Sequence, residues 1–265
     1  MSSIKNFFLK WGFVVKYNLS RGSGDFFGIL LQQVGVIQIT AATALIWVLN
    51  GGASVLSYIL IGKLFYNLSY NDYQTRLGSR IISGKMITSL MLPQNVFLEG
   101  FMVSVGYRIG LIFTNLIGVI LVLLVFGLSI PNSIALPSSA SQWLFLLYFP
   151  LAFVVNYLFG VIVGSSAFML KDKLNYDGVV QSYVATVSVL SGSIIPLDKL
   201  DSVKFLQFLP SAWLLHHPMQ VYLGKYSTFE NISFLSLGLF WIVCLYLVAS
   251  FIFKKGLKYH EANGL

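Results

Sequence analysis

Charged residues are scarce in this chain. Asp, Glu, Lys and Arg together make up 10% of its 265 residues, whereas an average soluble domain contains about 25%. Hydrophobic residues make up 57% of the chain, and 22 of its residues are Phe. A protein core cannot hide so much apolar surface from water, so part of that surface must face lipid. The composition therefore predicts an integral membrane protein.

Cysteine is represented by Cys244 alone, and no catalytic or metal-binding pattern accompanies it. A disulfide within the chain is therefore impossible, and ligation of a metal by cysteine is not expected. His216 and His217 are adjacent, and adjacent side chains on a helix point about 100° apart. No second cluster of His, Asp or Glu, no Ser, His and Asp set and no paired carboxylates complete a site. We therefore expect no catalytic residue, no metal site and no cofactor in this chain.

The stretch GSRIISGKMITS, from Gly78 to Ser89, comes close to a nucleotide-binding loop but lacks essential parts of it. Such a loop reads G-x-x-x-x-G-K-[ST]; its backbone amides and Lys hold phosphates, and its hydroxyl binds Mg²⁺. Here Gly78 and Gly84 are one residue too far apart, and Met86 occupies the hydroxyl position. The sequence thus predicts that this chain does not itself hydrolyse ATP.

Six stretches have the length and apolar character of a membrane-spanning helix, which needs about 20 residues. The runs 109–128 and 234–253 carry no charge, whereas the second stretch contains Lys63. The fifth is rich in hydroxyl side chains, which suit contact between helices better than contact with lipid. The predicted fold is an all-α integral membrane protein, one transmembrane domain over residues 1–265 with spans at residues 26–49, 53–72, 101–128, 142–168, 178–195 and 232–253.

The distribution of Lys and Arg between the loops predicts the orientation of the chain. Basic residues are frequent near the N-terminus, between spans two and three, between spans four and five, and after span six. The opposite side carries acidic and basic residues in balance, namely Lys199, Lys204, Lys225, Asp198, Asp201 and Glu230. Because cytoplasmic loops carry an excess of Lys and Arg, both termini are predicted to be cytoplasmic. The same rule explains the net charge of +8, because basic residues concentrate at the cytoplasmic ends of membrane spans. The predicted partner of these basic residues is therefore the lipid bilayer, and no nucleic-acid partner is expected.

Residues 3–22 are predicted to form an interfacial amphipathic helix. At 100° per residue, the apolar side chains from Ile4 to Val15 fall on one arc of about 120°, and the Lys side chains of this segment lie outside it. A helix of this kind lies on the inner membrane surface. A disordered tail is the alternative interpretation.

A second amphipathic pattern covers residues 79–91, on the predicted cytoplasmic side. Ile82, Met86 and Leu90 recur at every fourth position, and Pro93 ends the pattern. The other residues of the segment are mostly basic or small. A solvated linker needs no apolar stripe, whereas a helix that docks into a groove of a partner protein does. The pattern therefore predicts a short docking helix.

Four motifs, in order along nearly the whole chain, resemble the permease subunits of bacterial type-2 ABC transporters. The first, RIISGKMITSLMLPQN, carries I-x-x-G followed by L-x-x-P, although the Arg that often precedes this Pro in the family is absent. SGSIIPLDKL follows span five, LPSAWLLHHPMQVYLGKYS precedes span six, and the basic tail reads FKKGLKYHEANG. The residues that match the first motif are Ile81, Gly84, Leu90 and Pro93.

The resemblance implies a division of work between two kinds of subunit. The permease would pair with a second permease, identical or different, and with two copies of an ABC ATPase that bind ATP and Mg²⁺. Residues 79–91 would be the coupling helix that rests on the ATPase, and residues 196–226 would form short re-entrant helices on the outer side. The implied activity is export of a small or amphipathic substrate across the bacterial inner membrane. The implied ATPase contacts are Arg80, Ile81, Ile82, Gly84, Lys85, Met86, Leu90 and Pro93.

Polar residues within the predicted spans are candidates for the transport path or the subunit interface: Gln32, Gln33, Gln38 and Lys63. A cation inside a membrane is costly and marks a function by default, although a Lys side chain can also snorkel to the interface. The Gln side chains can instead form hydrogen bonds between helices. An ion-coupled carrier or a non-catalytic membrane scaffold is the alternative function. A carrier usually needs mid-membrane acidic residues, and none of the nine Asp and Glu lies mid-span.

Overall fold

The protein was analysed as a computed structural model, which describes residues 12, 42, 56–91, 95–109, 124, 137–170, 172–194, 196–199 and 201–262. Within these residues the regular structure is helical, without strands. The predicted interfacial helix at 3–22 and the first span at 26–49 lie outside the described residues, apart from Gly12 and Ala42, which are helical. The all-α prediction is therefore confirmed for the described part of the chain.

The chain divides into two compact units, and the first comprises residues 1–68 and 95–135. Its described part contains helix α1, Leu56–Ser69, which reaches the boundary between the units, and a helix over residues 96–109. Asn95 begins the second of these helices, because its side-chain oxygen accepts hydrogen bonds from the amides of Phe97 at 2.9 Å and Leu98 at 3.3 Å. Such a cap satisfies amides that have no partner within the helix.

The second unit comprises residues 69–94 and 136–265. Its α-helices are α2 (Tyr73–Ile82), α3 (Met86–Leu90), α4 (Tyr148–Ser165), α5 (Lys173–Leu190), α6 (His216–Tyr222) and α7 (Thr228–Ala262). Short 3₁₀ helices join them: Gln142–Leu147 and Ser166–Phe168 flank α4, and Leu197–Lys199, Asp201–Phe208 and Pro210–Leu214 precede α6. The predicted outer segment at 196–226 thus consists of short helical pieces.

Helix α4 forms the centre of the second unit. Its side chains are mostly buried, and α2 and α7 pack against it. Glycines allow the close approach: a Cβ added at Gly164 would lie 2.9 Å from Leu77 of α2, and one added at Gly238 of α7 would lie 2.8 Å from Leu151. In the described residues, two stretches are long and apolar enough to cross a membrane, Gln142–Phe168 and Thr228–Tyr259.

Helices α2, α4 and α7 run in the same direction. Tyr73 lies beside Gly160 and Leu77 beside Gly164, so residue numbers rise together along α2 and α4. Leu151 likewise lies beside Gly238, and the ring of Phe168 contacts Phe253 with centroids 5.6 Å apart. Helices α4 and α7 belong to predicted spans four and six, which an alternating chain would cross in the same direction, and α2 lies in the loop after predicted span two.

Helix α5 runs in the opposite direction. Its first turn meets α2, where the ring of Tyr176 lies against Gly78. Further along, the ring of Tyr183 lies 6.3 Å from that of Phe159, a residue that precedes the α4 segment packed on α2. An antiparallel helix that follows α4 along the chain agrees with the predicted fifth span.

Basic side chains gather at one end of the second unit, which we call the basic end. It is the end at which α2, α4 and α7 finish and α5 begins. The described residues there include Arg76, Arg80, Lys85, Lys173, Lys254, Lys255 and Lys258. The other end carries the 196–226 segment, where Lys225 forms an ion pair with Asp198 at 2.6 Å.

Several element boundaries differ from the sequence predictions. In place of one helix over 79–91, the structure has α2 and α3, separated by a turn at residues 83–85. Helix α1 ends at Ser69 although the second span was predicted to reach residue 72, and α5 begins at Lys173 rather than at residue 178. Helix α7 has 35 residues and continues to Ala262, beyond the predicted end at residue 253.

Candidate functional site

Helix α2 presents one face to the protein and the other to solvent. Its buried residues recur at helical spacing, so that one stripe of the helix packs on α4, while Thr75 and Ser79 are exposed. Leu77 occupies the space left by Gly164, and Gln74 and Tyr73 occupy that left by Gly160. The buried stripe consists of Tyr73, Gln74, Leu77, Gly78 and Ile81.

A tyrosine from α5 fixes the other side of α2. The Tyr176 hydroxyl donates a hydrogen bond to the backbone carbonyl of Gln74 at 2.5 Å. A Cβ added at Gly78 would collide with the Tyr176 ring, so only glycine leaves room for this contact. Helix α2 is therefore held between α4 and the first turn of α5.

Gly84 ends α2 and redirects the chain. Its amide donates to the Ile81 carbonyl at 3.0 Å, and the Ser83 amide donates to the Ser79 carbonyl at 3.0 Å. The φ angle of Gly84 is +71°, a left-handed conformation that glycine adopts without the steric cost borne by other residues. An added Cβ would meet no atom within 4 Å, so the requirement for glycine is conformational.

Beyond this turn, the chain exposes a group of apolar side chains. Ile87 is 44% exposed, Leu90 42% and Met91 80%, whereas Met86 is 2% exposed and anchors α3. We call residues 83–91, with these three exposed side chains, the 83–91 tip. The tip lies at the basic end and combines apolar side chains with the exposed Lys85.

The structure separates the sequence-predicted contact residues into two groups. Ile81 is 1% exposed and, like Met86, belongs to the support of the tip, while Arg80 and Ile82 are half-buried. Gly84, Lys85 and Leu90 are exposed on the tip. Pro93 lies outside the described residues.

Sequence reasoning missed Ile87 and Met91 as parts of the exposed surface. The i, i+4, i+8 stripe assumed an unbroken helix, and the break at Gly84 changes which side chains face outward. The glycine inside a helical pattern was the available signal.

The candidate path residues are not located by the structure. Gln32, Gln33 and Gln38 lie outside the described residues. The backbone of Lys63 belongs to α1, and its side chain is outside the described part. Their roles stay predictions.

At the other end, His217 is a buried hub that sequence reasoning did not identify. Its Nε2 lies 2.7 Å from the Gln207 carbonyl, and its Nδ1 lies 2.9 Å from the Tyr226 hydroxyl. The ring packs against Trp213 and Phe234 at centroid distances of 4.4 Å and 4.3 Å. Burial, followed by the neighbouring His216, lowers the pKa of His217 to about 3, although the Gln207 contact opposes this.

His216 is also buried, and its Nδ1 has no hydrogen-bond partner. Burial lowers its pKa to about 4; the Asp198 carboxylate acts in the opposite direction and Lys225 in the same one. Burial favours a higher pKa for Asp198, but the hydrogen bond and charge of Lys225 outweigh it and hold that pKa below its usual value. The two histidines therefore remain neutral at physiological pH. Among the described residues, no group of three or more His, Cys, Asp or Glu is placed to hold a metal ion.

Comparison with known families decides the class of the protein. The family model for ABC-2 family transporter proteins matches residues 29–264. The chain belongs to this family. The ABC-2 chain is thus a membrane-embedded transport permease, and the resemblance seen in its motifs is confirmed. No curated protein matches it.

Membership carries general consequences for the ABC-2 permease. Such permeases are the membrane components of transport systems and generally work with an ATPase subunit. The apolar helices of the second unit agree with an integral membrane protein.

Proposed function

We propose that this permease is the membrane subunit of an ATP-driven exporter, which moves a small or amphipathic substrate across the bacterial inner membrane. A separate ATPase subunit, in two copies, binds ATP and Mg²⁺, and a second permease, identical or different, completes the transporter. The observation that carries the proposal is the 83–91 tip, an exposed apolar surface at the basic end of a chain of this family.

The tip has the properties of a docking surface for a soluble protein. Met91, Ile87 and Leu90 expose apolar area next to Lys85, beyond the helices that would cross the membrane. Full burial of one such side chain is worth about 1.5–3 kcal/mol, and a few central residues usually dominate an interface. An ATPase that covers the tip would gain affinity from a small number of contacts.

The support of the tip suits the transmission of force. Ile81 is buried just before the turn at residues 83–85, Met86 is buried just after it, and α2 packs on α4 through Gly160 and Gly164. A displacement of the tip is therefore passed to packed helices rather than absorbed by a loose loop. This supports a role in which ATP-driven motion of the partner reaches the membrane part.

The exposed polar side chains of helix α5 favour contact with a second permease or with a polar transport path. Gln181 is exposed near the middle of α5, and an amide at that depth needs water or protein to satisfy its hydrogen bonds. Ser182 and Thr186 are exposed as well, but their hydroxyls bond to carbonyls of the same helix at 2.9 Å and 2.8 Å. We propose that this face of α5 lies toward the path or toward the second permease.

Substitution of the tip tests the proposal. Met91→Glu and Ile87→Glu would each place a carboxylate where an apolar contact is buried on docking. We expect the Kd for the ATPase subunit, measured with the purified permease in detergent, to rise at least about tenfold for each variant. Met169→Glu is the matched control, since Met169 is 52% exposed and lies near the basic end but outside the tip.

The control variant should bind the ATPase with the affinity of the unmodified permease. Unchanged affinity in both tip variants would refute docking at this surface.

A further inference from the structure

Helix α5 is attached to the described part of the protein at few points. Its buried residues are Tyr176, Val180 and Val187, and most of its other side chains are exposed. Tyr176 is the largest of the three and is almost completely buried. Any force that α2 exerts on the start of α5, at the basic end, is therefore transmitted mainly through Tyr176.

Tyr176 contacts α2 at both ends of one helical turn. Its hydroxyl donates to the Gln74 carbonyl, and its ring lies over Gly78. In an α-helix the amide of residue i+4 bonds to the carbonyl of residue i, so Gln74 and Gly78 are the two ends of one helical hydrogen bond. The contact is thus made to backbone atoms of α2, and it follows the helix itself rather than a mobile side chain.

The base of Tyr176 is also fixed. Asp172 caps α5, accepting hydrogen bonds from the Asn175 amide at 2.8 Å and from its side chain at 2.6 Å. Tyr176 stands in the first turn after this cap, which orders the start of the helix. The Tyr176 end of the link is therefore a capped helix, and the other end is the backbone of α2.

We propose that Tyr176 is a positioning residue that makes α2 and α5 move together when a partner subunit displaces the 83–91 tip. The inference rests on the proposed function, because it needs an ATPase at the tip. It adds the route by which α5, the helix with the exposed polar face, follows that motion. The hydroxyl supplies the bond, and Gly78 supplies the space.

Two substitutions remove the link in different ways. Tyr176→Phe keeps the ring and removes the hydrogen bond. Gly78→Ala places a methyl group against the ring, and because the nearest ring atoms are at the far end of the side chain, the ring is expected to swing away. Matched controls are Tyr183→Phe, on the same helix, and Gly178→Ala, where an added Cβ meets no atom within 4 Å.

The measurement reports the movement of α5. Ala185, which is exposed on α5, is replaced by Cys in a Cys244→Ser background, and its rate of reaction with a maleimide is measured. The permease is reconstituted with its ATPase subunit, without nucleotide and after trapping with ATP and vanadate. We expect trapping to change the rate in the otherwise unmodified protein. Tyr176→Phe and Gly78→Ala should reduce that change by about fivefold, the factor of an ordinary hydrogen bond in a two-state equilibrium.

The controls should retain the full change, and Gly78→Ala should add little to Tyr176→Phe, because both act on one contact. Variants that lower the melting temperature but keep the ATP-dependent change would show a purely structural tyrosine and overturn the inference. An ATPase that binds while trapping leaves Ala185→Cys unaffected would overturn it too, and would leave the proposed function standing. Failure of the ATPase to bind the unmodified permease would instead remove the proposed function.

Discussion

His217 joins segments of the chain that the sequence separates. The Gln207 carbonyl can only accept a hydrogen bond, so Nε2 must carry the proton. Nδ1 is then free to accept a hydrogen bond from the Tyr226 hydroxyl. The imidazole is therefore neutral, and protonation would place a charge among the rings of Trp213 and Phe234. The 196–226 segment depends on this residue remaining uncharged.

Acid is expected to destabilise the protein through both buried histidines. The pKa of His217 is lowered to about 3 and that of His216 to about 4, whereas an unfolded His has a pKa near 6.5. The unfolded state therefore binds more protons between these values, and stability, complete above pH 6.5, falls as the pH decreases. Each His contributes at most about 1.4 kcal/mol per pH unit. The melting temperature in detergent should decrease between pH 7.5 and pH 5.

Removal of the titrating groups provides the control for acid sensitivity. The double variant His216→Gln, His217→Gln should start from a lower melting temperature but show a shallower decrease with pH. If its decrease is as steep as that of the unmodified protein, the account of the two histidines is incorrect.

Glycines determine how closely the helices of the second unit approach one another. The side chain of Leu77 packs against Gly164, that of Trp213 against Gly238 and that of Phe168 against Gly256. Such small residues let helices pack in a membrane, where the hydrophobic effect does not drive their association. The packing of α2 on α4 is therefore sensitive to single methyl groups.

A methyl group at Gly164 is expected to weaken this packing. In Gly164→Ala the Cβ would lie 2.9 Å from two atoms of Leu77, one of which is its Cβ, so a backbone shift is required. Overpacking of this kind costs about 1–3 kcal/mol, and we expect a lower free energy of unfolding in SDS titration. Gly178→Ala, which meets open space, should instead stabilise α5 by about 0.5–1 kcal/mol. Equal effects of the two substitutions would contradict the packing described for Gly164.

The apolar helices were predictable because their signal is local. The apolar runs that predicted spans four and six correspond to α4 and α7, whereas most of the charge-free run of predicted span three lies outside the described residues. The residues at which the helices begin and end were less predictable. They depend on capping side chains and on helix propensity in water, and a count of apolar residues contains neither. Asp172 starts α5 before the apolar run begins, and Lys254, Lys255 and Lys258, which are good helix formers, continue α7 into the basic end.

Two features of the candidate site, the turn at Gly84 and the contact of Tyr176 with α2, could not be predicted from the spacing of apolar residues in the sequence. The stripe at Ile82, Met86 and Leu90 predicted one unbroken helix, but the chain turns at Gly84, and Met86 is buried while Met91 is exposed. Likewise, Tyr176 meets Gln74 across a wide separation in sequence. Contacts of this kind arise only when the helices pack.

At the scale of the whole molecule, the two ends of the second unit differ in charge. Helices α2, α4 and α7 end where basic side chains gather, and the 83–91 tip stands at that same end. Since cytoplasmic surfaces of membrane proteins carry the excess of Lys and Arg, we infer that the tip faces the cytoplasm, where ATP is available. Coupling to an ATPase requires this orientation.

Accessibility of Lys85 tests this central claim most directly. Lys85→Cys is placed in a Cys244→Ser background, since Cys244 is the one cysteine of the chain, and is treated with a membrane-impermeant maleimide. We predict labelling in inside-out membrane vesicles, protection from labelling when the ATPase subunit is added, and no labelling in intact cells. Labelling of Lys85→Cys from outside intact cells would contradict the account.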